Sequence, residues 1–182
     1  MPSPNSTKIT RIIEFDIPKD VHRQITKLKN LSFPETKRNR SYFKQLPHFR
    51  YLVFERDLLV GHMGVDHRVI RVGDYVFSIF GIIALCVKPS HQGRGIASEL
   101  LQAVTELAKE KAIDFLFLVA SDKRIYLKND FQAVSNKCSW LGIEDHCNCG
   151  VLTETIQENF MIKQTGDKLW NDKPIDLLGY MF

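Results

Sequence analysis

The sequence predicts an α/β (α+β) fold in which a mixed, mostly antiparallel central sheet carries helices on both faces. Two observations lead to this class. Between residues 49 and 87, runs of strand character are separated by tight turns, a pattern that favours antiparallel hairpins. After residue 95, an amphipathic helical pattern separates two apolar runs, and such a crossover allows the flanking strands to pair in parallel.

The first quarter of the chain is expected to hold one strand and two helices. The strand covers Ile9–Phe15 and follows residues 1–7, which are polar and expected to be loose. An apolar stripe at helical spacing then ends before Pro34, because proline disfavours helix in the residue that precedes it. A second short helix is predicted over Glu35–Leu46, with the basic cluster Lys37–Arg40 on a solvated face rather than in a nucleic-acid site.

The middle of the chain is predicted to form consecutive hairpins. Phe49–Glu55 and Leu58–Val65 have strand character and flank a tight turn, so they are expected to pair with each other. A second turn at Gly73 leads into the long strand Tyr75–Val87. Within that strand, Gly81 suggests a bulge or a bend.

The second half alternates helices and strands. A helix is expected over residues 96–112, and the nearly continuous apolar run Ile113–Ala120 is typical of a buried parallel strand. A short helix over Asp122–Asn129 and late strands over Val134–Ile143 and Asn159–Lys163 complete the predicted order.

Composition indicates one globular domain over residues 1–182. The chain is 44% hydrophobic and 25% charged, which is ordinary for such a domain. Its formal net charge of +4 suits an anionic ligand but is too small to indicate nucleic-acid binding. The stretch 140–182 is acidic, which suits either a cationic partner or a solvated surface.

The sequence also predicts a compartment and the state of its thiols. We find no leader with a basic start and an apolar core, and no apolar run long enough for a membrane span. A cytoplasmic protein with reduced cysteines is therefore expected. Cys138, Cys147 and Cys149 lie near His146 in the sequence, but their spacing lacks the Cys-x-x-Cys pattern usual for structural zinc, so no metal site is expected.

The stretch between the long strand and the following helix carries the clearest functional signal. Gly93 and Gly95 precede the helix start, where N–H groups without helical partners and the helix dipole attract anions. Glycine lets a large anion approach the backbone closely, so this turn is predicted to cradle a pyrophosphate. The dinucleotide-binding fingerprint and the P-loop pattern both fail to fit these residues.

The spacing Gln92-x-x-Gly95-x-Ala97, with Val87-x-Pro89 upstream, resembles the coenzyme A loop of the Gcn5-related N-acetyltransferase (GNAT) superfamily. The resemblance covers most of the chain and implies the GNAT acyl-CoA N-acyltransferase fold. It implies acetyl-CoA as cosubstrate, no metal, and transfer of the acetyl group to an amine by direct attack through a tetrahedral intermediate. The residues that it implies for coenzyme binding are Leu85, Cys86, Val87, Gln92, Gly93, Arg94, Gly95, Ile96 and Ala97.

The same resemblance implies two catalytic roles. Tyr126 lies in a stretch similar to the family's Tyr-x-x-x-Gly-Phe helix, in which the tyrosine is the general acid beside the sulfur, although Asp130 replaces the glycine. A tyrosine packed in the core is the alternative interpretation. The backbone N–H of Leu85 is expected to bind the thioester carbonyl. Cys86 is interpreted as a strand residue rather than a nucleophile, because the sequence offers it no partner base.

The sequence leaves the general base open. The candidates are the side chains of Asp66, His67, Glu144 and Asp145 and the terminal carboxylate of Phe182. Phe182 is a candidate because the last six residues are mostly apolar, which predicts that they dock onto the domain. His62, His67 and His146 are interpreted as structural residues in the first instance.

A longer resemblance concerns the acceptor. The order of Gly61–Gly64, the hairpin through Gly73 and the coenzyme loop resembles aminoglycoside 2'-N-acetyltransferases and the nodulation-factor N-acyltransferase. It implies a small-molecule amine acceptor, such as an aminosugar. From charge and the lack of a long apolar run, no nucleic-acid or membrane partner is expected, and a homodimer is left open. The alternatives are a protein or peptide N-acetyltransferase, a coenzyme-A-binding module without catalysis, and a zinc-stabilised interaction protein.

Overall fold

The computed structural model describes residues 8–156 and 159–182, which form ten strands and three α-helices. In chain order these are β1 (Lys8–Ile13), α1 (Lys19–Ser32), β2 (Phe49–Glu55), β3 (Leu58–Val72), β4 (Tyr75–Val87), α2 (Ile96–Glu110), β5 (Phe115–Val119), α3 (Arg124–Leu127), β6 (Gln132–Val134), β7 (Lys137–Glu144), β8 (Cys147–Thr155), β9 (Phe160–Gln164) and β10 (Ile175–Tyr180). Among the helices of these residues, none is both long enough and apolar enough to cross a membrane.

Contacts group the chain into two compact units. Unit 1 comprises the chain up to Val65 together with Ile83–Leu100, and unit 2 comprises Asp66–Ile82 together with Leu101–Phe182. The strands β3 and β4 and the helix α2 each contribute residues to both units.

Unit 1 combines an antiparallel sheet with α1. β1 pairs with β2 along its whole length, and β2 pairs with the first part of β3. α1 begins after Pro18 and buries Ile25 and Leu28, as its apolar stripe predicts. The core of this unit consists of Ile17, Ile25, Leu28, Leu52, Leu59 and Cys86.

The prediction of a second helix over Glu35–Leu46 is wrong. These residues, all of which the structure describes, contain a single 3-10 turn and otherwise irregular backbone. Side chains take up their backbone hydrogen bonds: the Asn30 amide pairs with both the N–H and the carbonyl of Arg38, and the Arg50 guanidinium donates to the carbonyl of Ser41. Because these backbone groups already have hydrogen-bond partners, the segment can stay irregular without leaving them unpaired.

Unit 2 is built on a longer series of strands. Its hydrogen-bonded order is β6-β9-β5-β4-β3-β10-β7-β8, with β3 and β4 contributing the parts that belong to this unit. β5 pairs in parallel with β4 and antiparallel with β9, and its residues from Phe115 to Leu118 are buried. The prediction of a buried parallel strand is confirmed.

The pairing pattern confirms the predicted class of fold. β4–β5 and β7–β10 are parallel. The antiparallel pairs include β1–β2, β2–β3, β3–β10, β5–β9, β6–β9 and β7–β8. The fold is therefore α/β with a mixed, mostly antiparallel sheet.

The core of unit 2 is aromatic. The rings of Phe77, Phe115, Phe117 and Phe160 are at most 1% exposed. Trp170 packs on them, with its ring centroid 5.2 Å from that of Phe115 and 5.9 Å from that of Phe77. Aromatic rings bury much apolar area and pack edge to face, so this cluster stabilises the sheet that carries β5.

Gly81 has a packing role that the sequence did not predict. The β4–β5 pairing keeps its register from Ile79 to Gly81, and Gly81, which pairs with Phe117, is the last residue of that ladder. A Cβ atom at Gly81 would overlap the ring of Phe182, and glycine is therefore required for the last residue to pack against β4. The irregularity in β4 lies at Ala84, where the backbone adopts a φ of 51°.

Candidate active site

The loop between β4 and α2 is fixed at several points within unit 1. Lys88 N donates to the carbonyl of Val60 at 2.8 Å as the chain leaves β4. The Gln92 side chain donates from Nε2 to the carbonyl of Val87 at 3.1 Å, so it braces the loop against the strand end. At the start of α2, Ile96 packs against Gly61, where a Cβ atom would lie 2.9 Å from Ile96 Cγ2. These contacts hold the backbone of the loop in one defined turn.

Two glycines give this loop its backbone path. Gly93 and Gly95 have φ angles of +77° and +88°, a region that glycine enters without strain. A Cβ atom at Gly93 would meet nothing within 4 Å, and residues 92–95 are exposed. The loop therefore offers an open backbone surface beside the N-terminus of α2, which is the arrangement that binds phosphates.

A charged cluster supports the same loop. His91 Nε2 lies 3.0 Å from Glu55 Oε2, and its Nδ1 lies 2.8 Å from Ser90 Oγ. The hydrogen bond with His91 lowers the pKa of Glu55. Arg94, one of the predicted coenzyme-binding residues, lies 3.7 Å from Glu55 and donates to the carbonyl of Ser90, so its side chain has protein partners. The sequence did not single out Glu55 or His91.

The end of β4 contributes the other predicted coenzyme residues. Leu85 is half-buried, whereas Cys86 is buried. Burial raises the pKa of the Cys86 thiol to about 12, so it stays protonated at neutral pH and is unsuited to act as a nucleophile.

A buried polar network contacts this strand end within unit 1. Arg50, which is 1% exposed, donates to both carboxylate oxygens of Glu14 at 2.6 Å and 2.8 Å. Arg50 Nη1 lies 2.9 Å from His62 Nε2, and His62 Nδ1 lies 2.9 Å from the carbonyl oxygen of Ala84. Burial, followed by the charge of Arg50, lowers the pKa of His62 to about 3, so the imidazole is neutral.

The sequence did not identify this network. Glu14 lies 36 residues before Arg50. His62 was interpreted as a structural histidine and as part of the Gly61–Gly64 motif, with no link to Arg50. The available signal was a single arginine within the otherwise apolar stretch 49–54 of β2. An arginine buried in a strand needs a carboxylate and further acceptors, but the sequence does not say which ones.

Tyr126 lies in unit 2, on the short helix α3. It is half-buried, and its ring centroid lies 5.7 Å from that of Phe131 in an edge-on contact. The N–H groups of Asn129 and Phe131 donate to the Tyr126 carbonyl and close the turn after α3. Asp130 adopts a φ of 63°, so it takes the left-handed conformation for which glycine is usual.

The last residues of the chain pack within unit 2. The Arg68 guanidinium lies 3.9 Å from the ring centroid of Phe182 and 4.5 Å from that of Tyr180. The Tyr180 hydroxyl donates to Asp66 at 2.6 Å, and burial raises the pKa of this phenol. The prediction that the apolar end docks is confirmed.

The other base candidates differ in their surroundings. Asp66 is fully buried, and His67 lies 3.2 Å from Ser78 Oγ at an exposed position. Glu144 and Asp145 are exposed at the hairpin between β7 and β8.

The cysteines near this hairpin are separated by the fold. Cys138 is buried in β7, whereas Cys147 and Cys149 are exposed in β8. Asp145 and His146 form the turn with φ angles of 42° and 67°. In the part of the chain that the structure describes, no three His, Cys, Asp or Glu side chains are grouped so as to hold a metal ion.

One family profile matches most of the chain. The profile describes the acetyltransferase (GNAT) domain, and it matches residues 16–134. The matched range includes the loop at residues 92–97 and Tyr126. No curated protein sequence matches the chain.

Solved structures share this fold at low sequence identity. A GNAT family N-acetyltransferase from Escherichia coli, YhbS, in complex with CoA is 13% identical, with a TM-score of 0.61 over 94% of this chain and 91% of that one. A GNAT family acetyltransferase from Brucella melitensis in complex with acetyl-CoA is also 13% identical, with a TM-score of 0.62 over 94% and 95%.

A GCN5-related N-acetyltransferase from Kribbella flavida is 16% identical, with a TM-score of 0.55 over 71% of this chain. The match spans only 34% of the length of the Kribbella protein. The similarity to all three structures is one of fold. The resemblance to aminoglycoside 2'-N-acetyltransferases gains no support from these comparisons.

Proposed function

Because this chain belongs to the acetyltransferase (GNAT) domain family, we propose that it moves an acetyl group from acetyl-CoA to a primary amine of a small-molecule acceptor. The observation that carries the proposal is the loop between β4 and α2. Its glycines are left-handed, and a Cβ atom at Gly93 would meet no atom within 4 Å. A pyrophosphate at this loop would meet backbone N–H groups at the positive end of a helix.

In this proposal the N–H groups of Gln92–Ala97 hold the pyrophosphate, and the backbone of Leu85–Val87 holds the thioester end of the pantetheine arm. Two structures that share the fold were solved with CoA or acetyl-CoA, which supports acetyl-CoA as the cosubstrate. The side chain of Gln92 supports the loop, because it donates a hydrogen bond to the carbonyl of Val87 at the end of β4.

The proposed reaction is a direct attack by the amine. The nitrogen lone pair forms a bond to the thioester carbonyl carbon, and the carbonyl electrons move onto oxygen. The Leu85 N–H stabilises this oxyanion. When the intermediate collapses, the C–S bond breaks and Tyr126 donates a proton to the departing thiolate. A base takes the proton that the amine loses, and the products are an amide and CoA.

For the base, we retain the carboxylate of Phe182 as the proposal. Its support is the docking of the last residue against Gly81 and Arg68. Asp66 is a weaker candidate, because it is fully buried and already accepts a hydrogen bond from the Tyr180 hydroxyl.

An acceptor screen tests the proposal. Titration calorimetry with acetyl-CoA and with CoA comes first, followed by incubation with panels of aminosugars, polyamines and peptides and detection of acetylated product by mass spectrometry. Acetylation of a small amine, in the first instance an aminosugar, is the expected result. Acetylation of peptides alone would favour a protein acetyltransferase, and binding without product across all panels would favour a module without catalysis. Absence of saturable acetyl-CoA binding would overturn the proposal.

A further inference from the structure

We propose that His62 is a positioning residue for acetyl transfer, which directs the N–H of Leu85 by holding the carbonyl group of Ala84. This inference rests on the proposed function and on the role of Leu85 within it. His62 is 1% exposed, so it acts from inside unit 1 and does not contact the substrate itself.

The first step of the argument is the geometry of one peptide bond. The Ala84 carbonyl and the Leu85 N–H belong to the same planar unit, and in a trans peptide they point in opposite directions. His62 Nδ1 lies 2.9 Å from the Ala84 oxygen. A hydrogen bond that fixes the carbonyl on one side therefore also fixes the direction of the N–H on the other.

The second step is the conformation of Ala84. Its φ of 51° is uncommon for a residue with a side chain, and such a conformation persists only where the surroundings hold it. It departs from the regular backbone of β4 immediately before the peptide that carries the Leu85 N–H. The hydrogen bond from His62 falls on the carbonyl of this irregular residue.

The third step is the rigidity and tautomer of the imidazole. Arg50 only donates hydrogen bonds and a carbonyl only accepts them, so His62 must carry its proton on Nδ1 and accept at Nε2. Arg50 is held in turn by Glu14 and by the carbonyl of Ser41. The chain of bonds from Glu14 to Ala84 therefore selects one tautomer and one ring orientation. Chained hydrogen bonds also polarise one another, which makes the Leu85 N–H a stronger donor.

The test reads the thioester carbonyl directly and needs no acceptor. Acetyl-CoA labelled with ¹³C at the carbonyl is bound to the protein, and its C=O stretch is recorded by isotope-edited infrared spectroscopy. We expect the band of the wild-type complex to lie at lower wavenumber than that of free acetyl-CoA, because the Leu85 N–H donates to the carbonyl.

Three variants separate positioning from packing. His62→Leu removes the donor, so we expect the band shift to be lost while the affinity for CoA stays within about threefold, because the loop still binds the phosphates. His62→Asn places an amide donor near the position of Nδ1 and is expected to retain the shift. His22→Leu is the control: His22 Nδ1 lies 2.8 Å from Ser41 Oγ, so it touches the same network at a residue outside β4, and the shift should remain.

A second measurement uses only the wild-type protein and therefore does not depend on the folding of a variant. ¹⁵N shifts of the labelled imidazoles should show His62 neutral with its proton on Nδ1. A proton on Nε2, or a wild-type band position in His62→Leu, would overturn the inference. Absence of saturable acetyl-CoA binding by the wild type would instead overturn the proposed function, and the inference with it.

Discussion

Gly93 and Gly150 form a matched pair for testing the coenzyme loop. Both have a φ near +80°, at +77° and +82°, and a Cβ atom on either would meet nothing within 4 Å. Alanine at each position should cost about 1 kcal/mol of folding free energy, because the left-handed region disfavours a side chain. Gly93→Ala should also weaken acetyl-CoA binding by about tenfold, since its methyl group occupies the space proposed for the pyrophosphate. Calorimetry on both variants checks this, and an equal affinity for acetyl-CoA in both would contradict it.

The acid role of Tyr126 is tested by removing its hydroxyl group. Tyr126→Phe should lower kcat by about 10²-fold while acetyl-CoA affinity is unchanged, because a general acid acts only as the thiolate leaves. Tyr75→Phe is the control, since Tyr75 is 64% exposed in β4. Steady-state kinetics with an acceptor from the screen provide the measurement. An unchanged kcat in Tyr126→Phe would leave the tyrosine as a packing residue.

At the residue scale, local patterns were predictable and distant partners were not. The departure at Asp130 was visible in the sequence, but its left-handed φ of 63° required the structure. Aspartate tolerates this region better than most residues, so the turn survives the replacement of glycine. In contrast, the contact of His62 with Arg50 depends on the register between β2 and β3, which the sequence does not specify.

Between elements, the contact of the chain end with β4 predicts a measurable coupling. Gly81→Ala should destabilise the protein by about 1–3 kcal/mol, because the new methyl group overlaps the ring of Phe182. In the background Phe182→Ala, which removes the ring and keeps the carboxylate, the same substitution should cost much less. Urea unfolding of the four proteins of this double-mutant cycle measures the coupling. Additive effects would show that Phe182 does not pack on Gly81 in solution.

At the scale of elements, the sequence predicted the helices and strands in which the spacing of apolar residues matches the side that is buried. The strand Tyr75–Val87 has the predicted bounds, and α1 and α2 bury their apolar stripes. β8 was missed because every one of its residues is exposed, so it has no alternation to detect. β10 was missed because Leu178 has a φ of 48° and the pairing with β7 shifts register there, which interrupts the pattern.

For the whole molecule, the lowered pKa values of His62 and His22 predict a loss of stability in acid. The pKa of His62 falls from an ordinary value of 6.5 to about 3, chiefly by burial, so the unfolded chain binds a proton that the folded one does not. Burial also lowers the pKa of His22. The free energy of unfolding should therefore fall as pH drops below the ordinary value, by up to about 1.4 kcal/mol per pH unit for His62.

Urea unfolding between about pH 7 and about pH 5 isolates the histidines, because most carboxylates titrate below this window. His62→Asn should show a smaller slope than the wild type. Equal slopes in the two proteins would mean that His62 is protonated in the folded state.

The whole architecture was predictable as a class because hairpins and one crossover helix leave few arrangements of strands. Its detail was not, since the order β9-β5-β4-β3-β10-β7 joins segments from both ends of unit 2. Of the proposed site, the glycine loop could be found because it is one continuous stretch. The support from Glu55 and His91 could not, because these residues meet only through folding.

The location of the four cysteine thiols has a practical consequence for enzymology. Cys86 and Cys138 are inaccessible, but Cys147 and Cys149 stand on the open surface of β8. A chromogenic disulfide reagent used to follow liberated CoA would therefore also react with the two exposed thiols of every protein molecule. Replacing both cysteines by serine would remove this background signal from the assay. Replacing only one would leave a single exposed thiol for attaching a fluorophore.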